Sequence, residues 1–170
     1  VGPDGTFIVS ASEDETLKVW DSATGAERFA LFGHSAAVNS CTVGPDGTFI
    51  VSASEDGTLK VWDSSSGAER LTLAGHTTAV NGCAVSPDGA FIVSASDDST
   101  LRVWDSRLGK VLAVAPMLGR LSCVALYPSR SRTVSGDVAG SLNLHEMVGI
   151  SYGPIIVTAR DLGGKLSLIC

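Results

Sequence analysis

Charged residues are scarce in this sequence, and they are not clustered. They make up 18% of the 170 residues, and the 12 lysines and arginines are scattered among 18 acidic residues. Because binding to nucleic-acid phosphates depends on clustered basic side chains, this distribution and the net charge of −6 argue against nucleic acid as a partner. The local group of Arg120, Arg130 and Arg132 is interpreted as loop charges in contact with solvent.

Long apolar runs are also missing. Hydrophobic residues account for 44% of the chain, yet serine, aspartate, glycine or lysine interrupts them every few residues. No run approaches the roughly 20 residues that a membrane-spanning helix needs, so no membrane association is expected. No long stretch repeats apolar positions at the period of a helix either. The pattern indicates a water-soluble protein made of short strands that are buried on both faces.

The four cysteines do not form a metal-binding pattern. Cys41, Cys83, Cys123 and Cys170 lie far apart, without a Cys-x-x-Cys pair or a histidine cluster. Neither a metal site nor a cofactor is therefore expected. Cys41 and Cys83 occupy matching positions in VNSC and VNGC, which is typical of small residues buried in strands. The N-terminal residues carry no secretory signal, which predicts a cytoplasmic location.

One segment occurs three times with few changes. It reads GTFIVSASEDETLKVWD from Gly5 to Asp21, GTFIVSASEDGTLKVWD from Gly47 to Asp63, and GAFIVSASDDSTLRVWD from Gly89 to Asp105. Corresponding residues in successive copies are 42 residues apart. An internal repeat of about 40–45 residues is typical of the four-stranded blades of β-propellers.

Each repeat predicts short strands separated by tight turns. FIVSAS and TLKVWD are rich in the β-branched and aromatic residues that favour strands, whereas Pro45-Asp46-Gly47 and Asp56-Gly57 are turn signals. Since the loops are only a few residues long, neighbouring strands must run antiparallel. The strands predicted for the second repeat are Val38–Val43, Thr48–Ser54, Thr58–Asp63 and Glu69–Leu73. The predicted fold class is all-β, with four-stranded antiparallel sheets.

Several short motifs recur at fixed positions of the repeat. They are Gly-His at 33–34 and 75–76, Ser-Pro-Asp-Gly at 86–89, and Trp-Asp at 20–21, 62–63 and 104–105. With these motifs the chain resembles the WD-repeat β-propeller family, and its near-identical units are similar to those of bacterial or fungal members. The resemblance implies blades at residues 1–32, 33–74, 75–115 and 116–146, followed by a degenerate tail at 147–170. Rings of this family usually contain more blades, which implies a larger ring completed by the parent chain or by a second copy.

In that family a histidine, a strand hydroxyl, a turn aspartate and a tryptophan often form a hydrogen-bonded set within each repeat. The resemblance assigns this hydrogen-bonded set to His34, Ser52, Asp56 and Trp62; to His76, Ser94, Asp98 and Trp104; and, without a histidine, to Ser10, Asp14 and Trp20. A buried indole N–H needs an acceptor, and a hydroxyl can connect it to an imidazole held by a carboxylate. The Asp–His–Ser combination is also that of a catalytic triad, but it recurs in successive repeats. We therefore expect a structural set and no enzyme.

The fourth repeat departs from the pattern. Aligned on Leu101 and Leu142, it retains Ser135 but has Ala139 in place of the turn aspartate and His145 in place of the tryptophan. We expect it to form the least stable blade, with His145 packed rather than acting as a ligand. In the tail, Ile155–Ala159 and Leu166–Leu168 are similar to the middle strands of a repeat and predict the hairpin of a fifth blade.

The resemblance also implies a function. Propellers present loops at the rim of a rigid scaffold, where recognition residues are concentrated. The residues expected at the upper rim are Glu13, Glu55, Asp97, Ser35 and Thr77. Three acidic side chains on adjacent blades could bind a basic protein surface. An equally weighted interpretation is that they are a solvated rim that keeps the protein soluble. The chain is thus expected to be a non-catalytic scaffold for protein partners. The alternative function is that of the C-terminal sensor or autoinhibitory propeller of a multidomain signalling NTPase.

Overall fold

The computed structural model describes residues 1–127, 132–148 and 156–161, with side chains up to residue 146. All regular secondary structure in this part of the chain is β-strand, and the strands form four antiparallel sheets. The prediction of an all-β fold made of propeller-type blades is confirmed. Over the same residues, no helix is long and apolar enough to cross a membrane.

The first three sheets follow the three repeats. Sheet 1 consists of β1 (Phe7–Ala11), β2 (Leu17–Asp21) and β3 (Glu27–Leu31). Sheet 2 consists of β4 (Val38–Val43), β5 (Phe49–Ser54), β6 (Thr58–Asp63) and β7 (Glu69–Ala74). Sheet 3 consists of β8 (Val80–Val85), β9 (Phe91–Ser96), β10 (Thr100–Asp105) and β11 (Val111–Pro116).

Within each sheet the strands are hydrogen-bonded in chain order. The four strands predicted for the second repeat are confirmed, although β5 begins and β7 ends one residue later than predicted. A β-bulge in β6 between Val61 and Trp62 places the indole opposite Glu69 of the outer strand. The same bulge precedes the tryptophan in sheets 1 and 3, so the three repeats share their register as well as their sequence.

Sheet 4 shows where the sequence prediction of the tail is wrong. It consists of β12 (Leu121–Leu126), β13 (Arg132–Asp137), β14 (Leu142–Val148) and β15 (Ile156–Asp161). Because β15 pairs antiparallel with β14, the segment predicted to open a fifth blade instead supplies the outer strand of the fourth sheet. The second strand predicted for that hairpin, Leu166–Leu168, lies outside the described residues.

Neighbouring sheets bury apolar side chains between them. Trp62 of sheet 2 packs with Phe7 and Leu17 of sheet 1, and Trp104 of sheet 3 packs with Leu59 and other residues of sheet 2. A third cluster joins sheet 3 to sheet 4 through side chains that include Phe91, Leu101 and Leu121. Each sheet therefore depends on the face of the sheet before it, as in other stacked-repeat architectures.

The inner strands of the sheets lie next to one another. β4 contacts β8, and β8 contacts β12, so these first strands form the side that faces the axis of a propeller. Among the described residues the four sheets stand side by side without closing into a ring.

The turn between the two middle strands requires a left-handed backbone at its third residue. That residue is Gly57 in sheet 2, with φ of 82°, but Glu15 in sheet 1 and Ser99 in sheet 3 adopt φ of 69° and 62°. Only glycine takes this conformation without a steric penalty. The single difference between the first two copies of the repeat therefore falls where the backbone discriminates most strongly between residue types.

Candidate functional site

The predicted polar residues of the second repeat form a continuous hydrogen-bonded set. Trp62 Nε1 on β6 donates to Ser52 Oγ on β5 at 2.9 Å. Ser52 Oγ lies 2.7 Å from His34 Nε2, and His34 Nδ1 lies 2.7 Å from Asp56 Oδ2. The set thus connects the loop before the inner strand, both middle strands and the turn between them.

Sheet 3 repeats this arrangement with nearly the same distances. Trp104 Nε1 donates to Ser94 Oγ at 2.8 Å, and Ser94 Oγ lies 2.7 Å from His76 Nε2. His76 Nδ1 lies 2.8 Å from Asp98 Oδ2. Both imidazole side chains and both serines are 0% exposed.

The turn aspartate holds two separate pieces of backbone together. Asp98 Oδ1 accepts hydrogen bonds from the Thr100 amide at 2.9 Å and hydroxyl at 2.6 Å, while Oδ2 accepts one from the Thr77 amide at 3.2 Å. Asp56 makes the same bonds to Thr58 and Ser35. Each aspartate therefore fixes the middle turn against the loop that leads into the inner strand.

The protonation states follow from burial and hydrogen bonding. Burial tends to raise the pKa of Asp98, but hydrogen bonds from Thr100 and His76 outweigh it and lower the pKa to about 2. Burial lowers the pKa of His76 below its usual value, against the opposing effect of the Asp98 carboxylate. At neutral pH the imidazole is therefore neutral, with Nδ1–H donating to the carboxylate and Nε2 accepting from the serine hydroxyl.

This geometry is suited to bracing the sheet and not to nucleophilic chemistry. The serine oxygen already accepts the indole N–H, its proton is directed at the imidazole, and it is completely buried. A nucleophile must be within reach of a bound substrate, and no part of this hydroxyl is accessible. The residues predicted as structural are brought together in positions that fit that role.

Sheet 1 contains a reduced set. Trp20 Nε1 donates to Ser10 Oγ at 2.9 Å, as in the other sheets. Asp14 accepts hydrogen bonds from the Thr16 amide and hydroxyl at 3.1 and 2.6 Å. None of the residues from 1 to 127 supplies a histidine to Ser10, and Trp20 is half-buried where Trp62 and Trp104 are buried.

Sheet 4 retains the serine and rearranges the rest. His145 occupies the tryptophan position, is 0% exposed, and its Nε2 lies 2.7 Å from Ser135 Oγ. Its Nδ1 is buried without a hydrogen bond to any described residue, and burial lowers the pKa of this imidazole. Met117 stands at the position of the missing histidine, beside an open cavity of about 670 Å³ that Ala139 and Ser141 also line.

The turn aspartate of sheet 4 has moved by two residues. Asp137, which corresponds to Ser96 of sheet 3, accepts hydrogen bonds from the amides of Ala139 and Ser141 at 3.0 and 2.8 Å. This carboxylate caps the turn as Asp98 does, but it has no histidine to hold. The sequence comparison found the loss of aspartate at 139 and missed its replacement at 137.

A second polar system was not predicted from the sequence. Lys18 Nζ pairs with Glu27 at 2.8 Å in sheet 1, and Lys60 Nζ pairs with Glu69 at 2.8 Å in sheet 2. Both lysines also lie over the tryptophan ring of their own sheet, at 5.6 and 5.9 Å from its centroid. The signal was present in the sequence, because the lysine and the glutamate recur together at the repeat period.

An asparagine connects each inner strand to the next. Asn39 Nδ2 donates to the carbonyl of Val80 at 3.2 Å, and Asn81 Nδ2 donates to the carbonyl of Leu121 at 2.8 Å. These bonds join sheets 2 and 3 and sheets 3 and 4 at the axial side. Sequence reasoning missed them, since their partners are backbone atoms of another repeat.

The residues predicted for the upper rim lie at one end of the sheets. Two hydrogen bonds make Ser35 and Glu55 neighbours. The Ser35 amide donates to the Asp56 carboxylate, and the Glu55 amide donates to the carbonyl of Ala37. Thr77 and Asp97 are held together in the same way in sheet 3. Glu13 occupies the corresponding turn of sheet 1, so the five predicted residues share this end of the arc.

The three acidic residues of the upper rim are not equivalent. Glu13 and Glu55 are exposed and make no side-chain hydrogen bond or ion pair with any described residue. Asp97 is half-buried, accepts a hydrogen bond from Asn81 at 2.7 Å, and lies 4.0 Å from Arg120 of the loop before β12. The acidic character of this rim is therefore concentrated on sheets 1 and 2.

The cysteines within the described residues are free thiols. Cys83 is buried, its thiol faces the carbonyl of Val51 at 3.8 Å, and burial raises its pKa to about 12. Cys41 makes the equivalent contact with Val9 of sheet 1. No group of three or more His, Cys, Asp and Glu side chains in the described part of the chain is placed to bind a metal.

Comparison with known families agrees with this architecture. The family model described as WD domain, G-beta repeat, matches residues 1–21, 25–63 and 67–105, which together make up more than half of the chain. Repeats of this kind generally mediate protein–protein interaction and are generally non-catalytic. The repeated register, the recurring hydrogen-bonded set and this match lead to one conclusion: the chain belongs to the WD-repeat family.

Proposed function

We propose that this protein is a non-catalytic interaction scaffold whose upper rim binds a basic surface of a protein partner. The proposal rests on two hydrogen bonds: Asp56 accepts one from the Ser35 amide, and Asp98 accepts one from the Thr77 amide. Through these bonds, a rim loop and a rim turn are held together as one unit on sheets 2 and 3. Binding to a pre-organised surface avoids the entropic cost of ordering loops, which favours recognition at this end.

Electrostatics indicates the kind of partner. Glu13 and Glu55 project from adjacent sheets without a counter-ion among the described residues, whereas Asp97 shares its charge with Asn81 and Arg120. A pair of unpaired carboxylates on a rigid rim attracts lysine and arginine side chains and steers their approach. A basic protein surface is therefore the expected partner, and its main contacts fall on sheets 1 and 2.

The proposal excludes catalysis by the recurring polar residues. They are the groups that would otherwise suggest an active site, and they are buried and saturated with hydrogen bonds to one another. Met117 and Ala139, which distinguish sheet 4 from sheets 2 and 3, replace a histidine and an aspartate by apolar residues. A unique polar cluster would be needed for an active site.

Charge reversal at the upper rim tests this proposal. The double variant Glu13→Lys/Glu55→Lys should lose the partners that the unmodified chain retains from a cell extract, measured by quantitative mass spectrometry. The control is Glu146→Lys, which reverses one exposed carboxylate within β14 of sheet 4, away from the upper-rim turns of sheets 1 and 2. Retention of the same partners by the double variant, with unchanged folding, would contradict the proposed site.

We further propose that additional blades complete the ring, from the rest of a parent chain or from a second copy. The two ends of the arc expose apolar side chains, including Ile8 on β1 and Phe32 just after β3 at one end, and Leu118 and Val138 in loops of sheet 4 at the other. Burial of apolar surface contributes about 25 cal/mol per Å², which favours covering these side chains. Sedimentation of the isolated chain should show self-association; a folded monomer would argue against a second copy.

We also propose, as the alternative function, a sensor or autoinhibitory propeller in a multidomain signalling NTPase. The near identity of the first three units supports it, because that feature is similar to propellers in such proteins. The test is the NTPase rate of the parent protein with and without residues 1–170. Autoinhibition predicts a faster rate after the deletion, and an unchanged rate would reject it.

A further inference from the structure

Sheet 3 has a cationic side chain at the position of Lys60, but it lacks the two residues that bind Lys60 in sheet 2. In sheet 2, Lys60 Nζ donates to Glu69 Oε2 at 2.8 Å and to Thr72 Oγ1 at 2.9 Å, both on the outer strand β7. The residue at the lysine position of sheet 3 is Arg102. The outer strand β11 carries valine at both acceptor positions, Val111 and Val114.

Arg102 has no replacement acceptor within the described residues. Its Nε atom is buried and makes no hydrogen bond, and its guanidinium lies over the Trp104 ring at 5.9 Å from the centroid. Sheet 3 therefore lacks the acceptors that hold Lys60 in sheet 2, and with Leu112 in place of Arg70 it also lacks the Arg70–Asp63 ion pair. A buried N–H without an acceptor is unfavourable, so the site favours any ligand that brings an oxygen to it.

The outer strand beside Arg102 is unusually apolar for an edge. Val111, Leu112 and Val114 are 42%, 43% and 47% exposed. The corresponding strands of sheets 1 and 2 begin with Glu27-Arg28 and Glu69-Arg70. Charged residues on edge strands prevent pairing with other chains, and β11 lacks them. Its outer edge is hydrogen-bonded to no described strand, although β15 of sheet 4 contacts β11.

We propose that β11 is a docking edge for an extended segment of a partner protein that carries one carboxylate between apolar side chains. The carboxylate takes the role that Glu69 has in sheet 2 and pairs with Arg102. The apolar side chains cover Val111 and Val114, and the open edge of β11 offers backbone hydrogen bonds to the segment. None of the five upper-rim residues takes part, so this inference is independent of the proposed function.

Calorimetric titration of the 170-residue chain tests the docking edge. The probe is a blocked peptide, Lys-Val-Thr-Glu-Thr-Val-Lys, in which the glutamate and both valines lie on the same face of an extended strand. It is compared with a twin that has glutamine in place of glutamate. We expect the glutamate peptide to bind about tenfold more tightly, which is the effect of one charge-assisted hydrogen bond. Equal binding of the two peptides, or binding of neither, would overturn the proposal.

Two variants localise the effect to this edge. Val111→Glu supplies Arg102 with an acceptor of its own and should abolish the preference for the glutamate peptide. Arg102→Gln leaves the outer strand unchanged and should abolish it as well, which keeps the test valid if Val111→Glu fails to fold. A preference that persists in a folded variant would show that the peptide binds elsewhere and would overturn the proposal.

Sheet 2 offers a matched gain of function. The triple variant Glu69→Val/Arg70→Leu/Thr72→Val reproduces the start of β11 next to Lys60 and should create a second site, raising the stoichiometry from one peptide to two. A folded triple variant that still binds one peptide would contradict the assignment of the site to this cation. If the chain self-associates and Val111→Glu abolishes that self-association, the edge of β11 binds a second copy of the chain. That result would overturn the proposal that it binds a partner segment.

Discussion

Sheets 3 and 4 have the same strand order but are held together differently. In sheet 3 the buried Ser94 bonds both a tryptophan and a histidine, and Asp98 anchors that histidine to the turn. In sheet 4 the equivalent Ser135 bonds only His145, whose other nitrogen has no partner among the described residues. The comparison shows that the strand pattern alone specifies the sheet, whereas the polar set adds a stability that can be lost separately.

The largest expected effect comes from removing the serine that each sheet shares. Ser94→Ala leaves the buried Trp104 Nε1 and His76 Nε2 without partners, which should cost about 3 kcal/mol. Ser135→Ala affects only His145 Nε2 and should cost about 1 kcal/mol. Urea unfolding followed by far-UV circular dichroism measures both, since the tryptophans lie only in sheets 1 to 3. Equal losses would mean that the tryptophan–serine–histidine connection contributes nothing beyond one hydrogen bond.

Acid should weaken the fold through its buried imidazoles. The pKa values of His76 and His145 are lowered by burial, so near pH 6 the unfolded chain binds protons that the folded chain does not. The free energy of unfolding is therefore constant above about pH 6.5 and falls below it, by at most about 1.4 kcal/mol per pH unit for each group. His145→Phe should reduce this slope in denaturation curves between pH 7 and 5; an unchanged slope would contradict the assignment of acid sensitivity to sheet 4.

The missing set can be rebuilt in sheet 4. Met117→His alone places an imidazole in the cavity that Ala139 lines, where the nearby Asp137 carboxylate already accepts the amides of its own turn, and should destabilise the sheet. Adding Ala139→Asp restores the partner that His76 has in sheet 3, so the double variant should recover about 1 kcal/mol relative to the sum of the single changes. A double-mutant cycle of unfolding free energies measures this coupling. Strict additivity would show that the two positions do not meet in sheet 4.

The smallest effect concerns the left-handed turn residue. Glu15→Gly and Ser99→Gly relieve a positive φ and should each stabilise the protein by about 1 kcal/mol, while Gly57→Ser should destabilise it by a similar amount. Thermal unfolding of the three single variants measures these changes in stability. A destabilising Ser99→Gly would mean that its side chain contributes more than its backbone strain costs.

Much of this architecture could be predicted from the repeated segment. β-Branched and aromatic residues together with turn signals located the strands of sheet 2 to within one residue, because every copy presents the same local chemistry. The identity of β15 could not be predicted in this way. Its sequence, Ile156–Asp161, is similar to that of a middle strand, and only its pairing with β14 makes it the outer one.

The polar residues show the same difference between contacts within one repeat and contacts between strands or repeats. The hydrogen-bonded sets lie within a repeat, and their members were all identified from the sequence. Contacts between repeats were missed: the Asn81 bond to Leu121 and the approach of Arg120 to Asp97 depend on how one sheet stands against the next. The Lys60–Glu69 pair could be predicted in part, because the strand register places the lysine next to the outer strand. Identifying Glu69 as its partner also required the position of the β-bulge.

Native-state hydrogen exchange, resolved by residue, tests the central comparison most directly. The account predicts that amides of β9 and β10, anchored by His76, Ser94 and Asp98, open only with the highest free energies in the chain. Amides of β13 and β14, which lack the tryptophan and the anchored histidine, should open with clearly lower free energies. Equal or greater protection in β13 and β14 would contradict the claim that the recurring polar set determines how firmly each sheet is held.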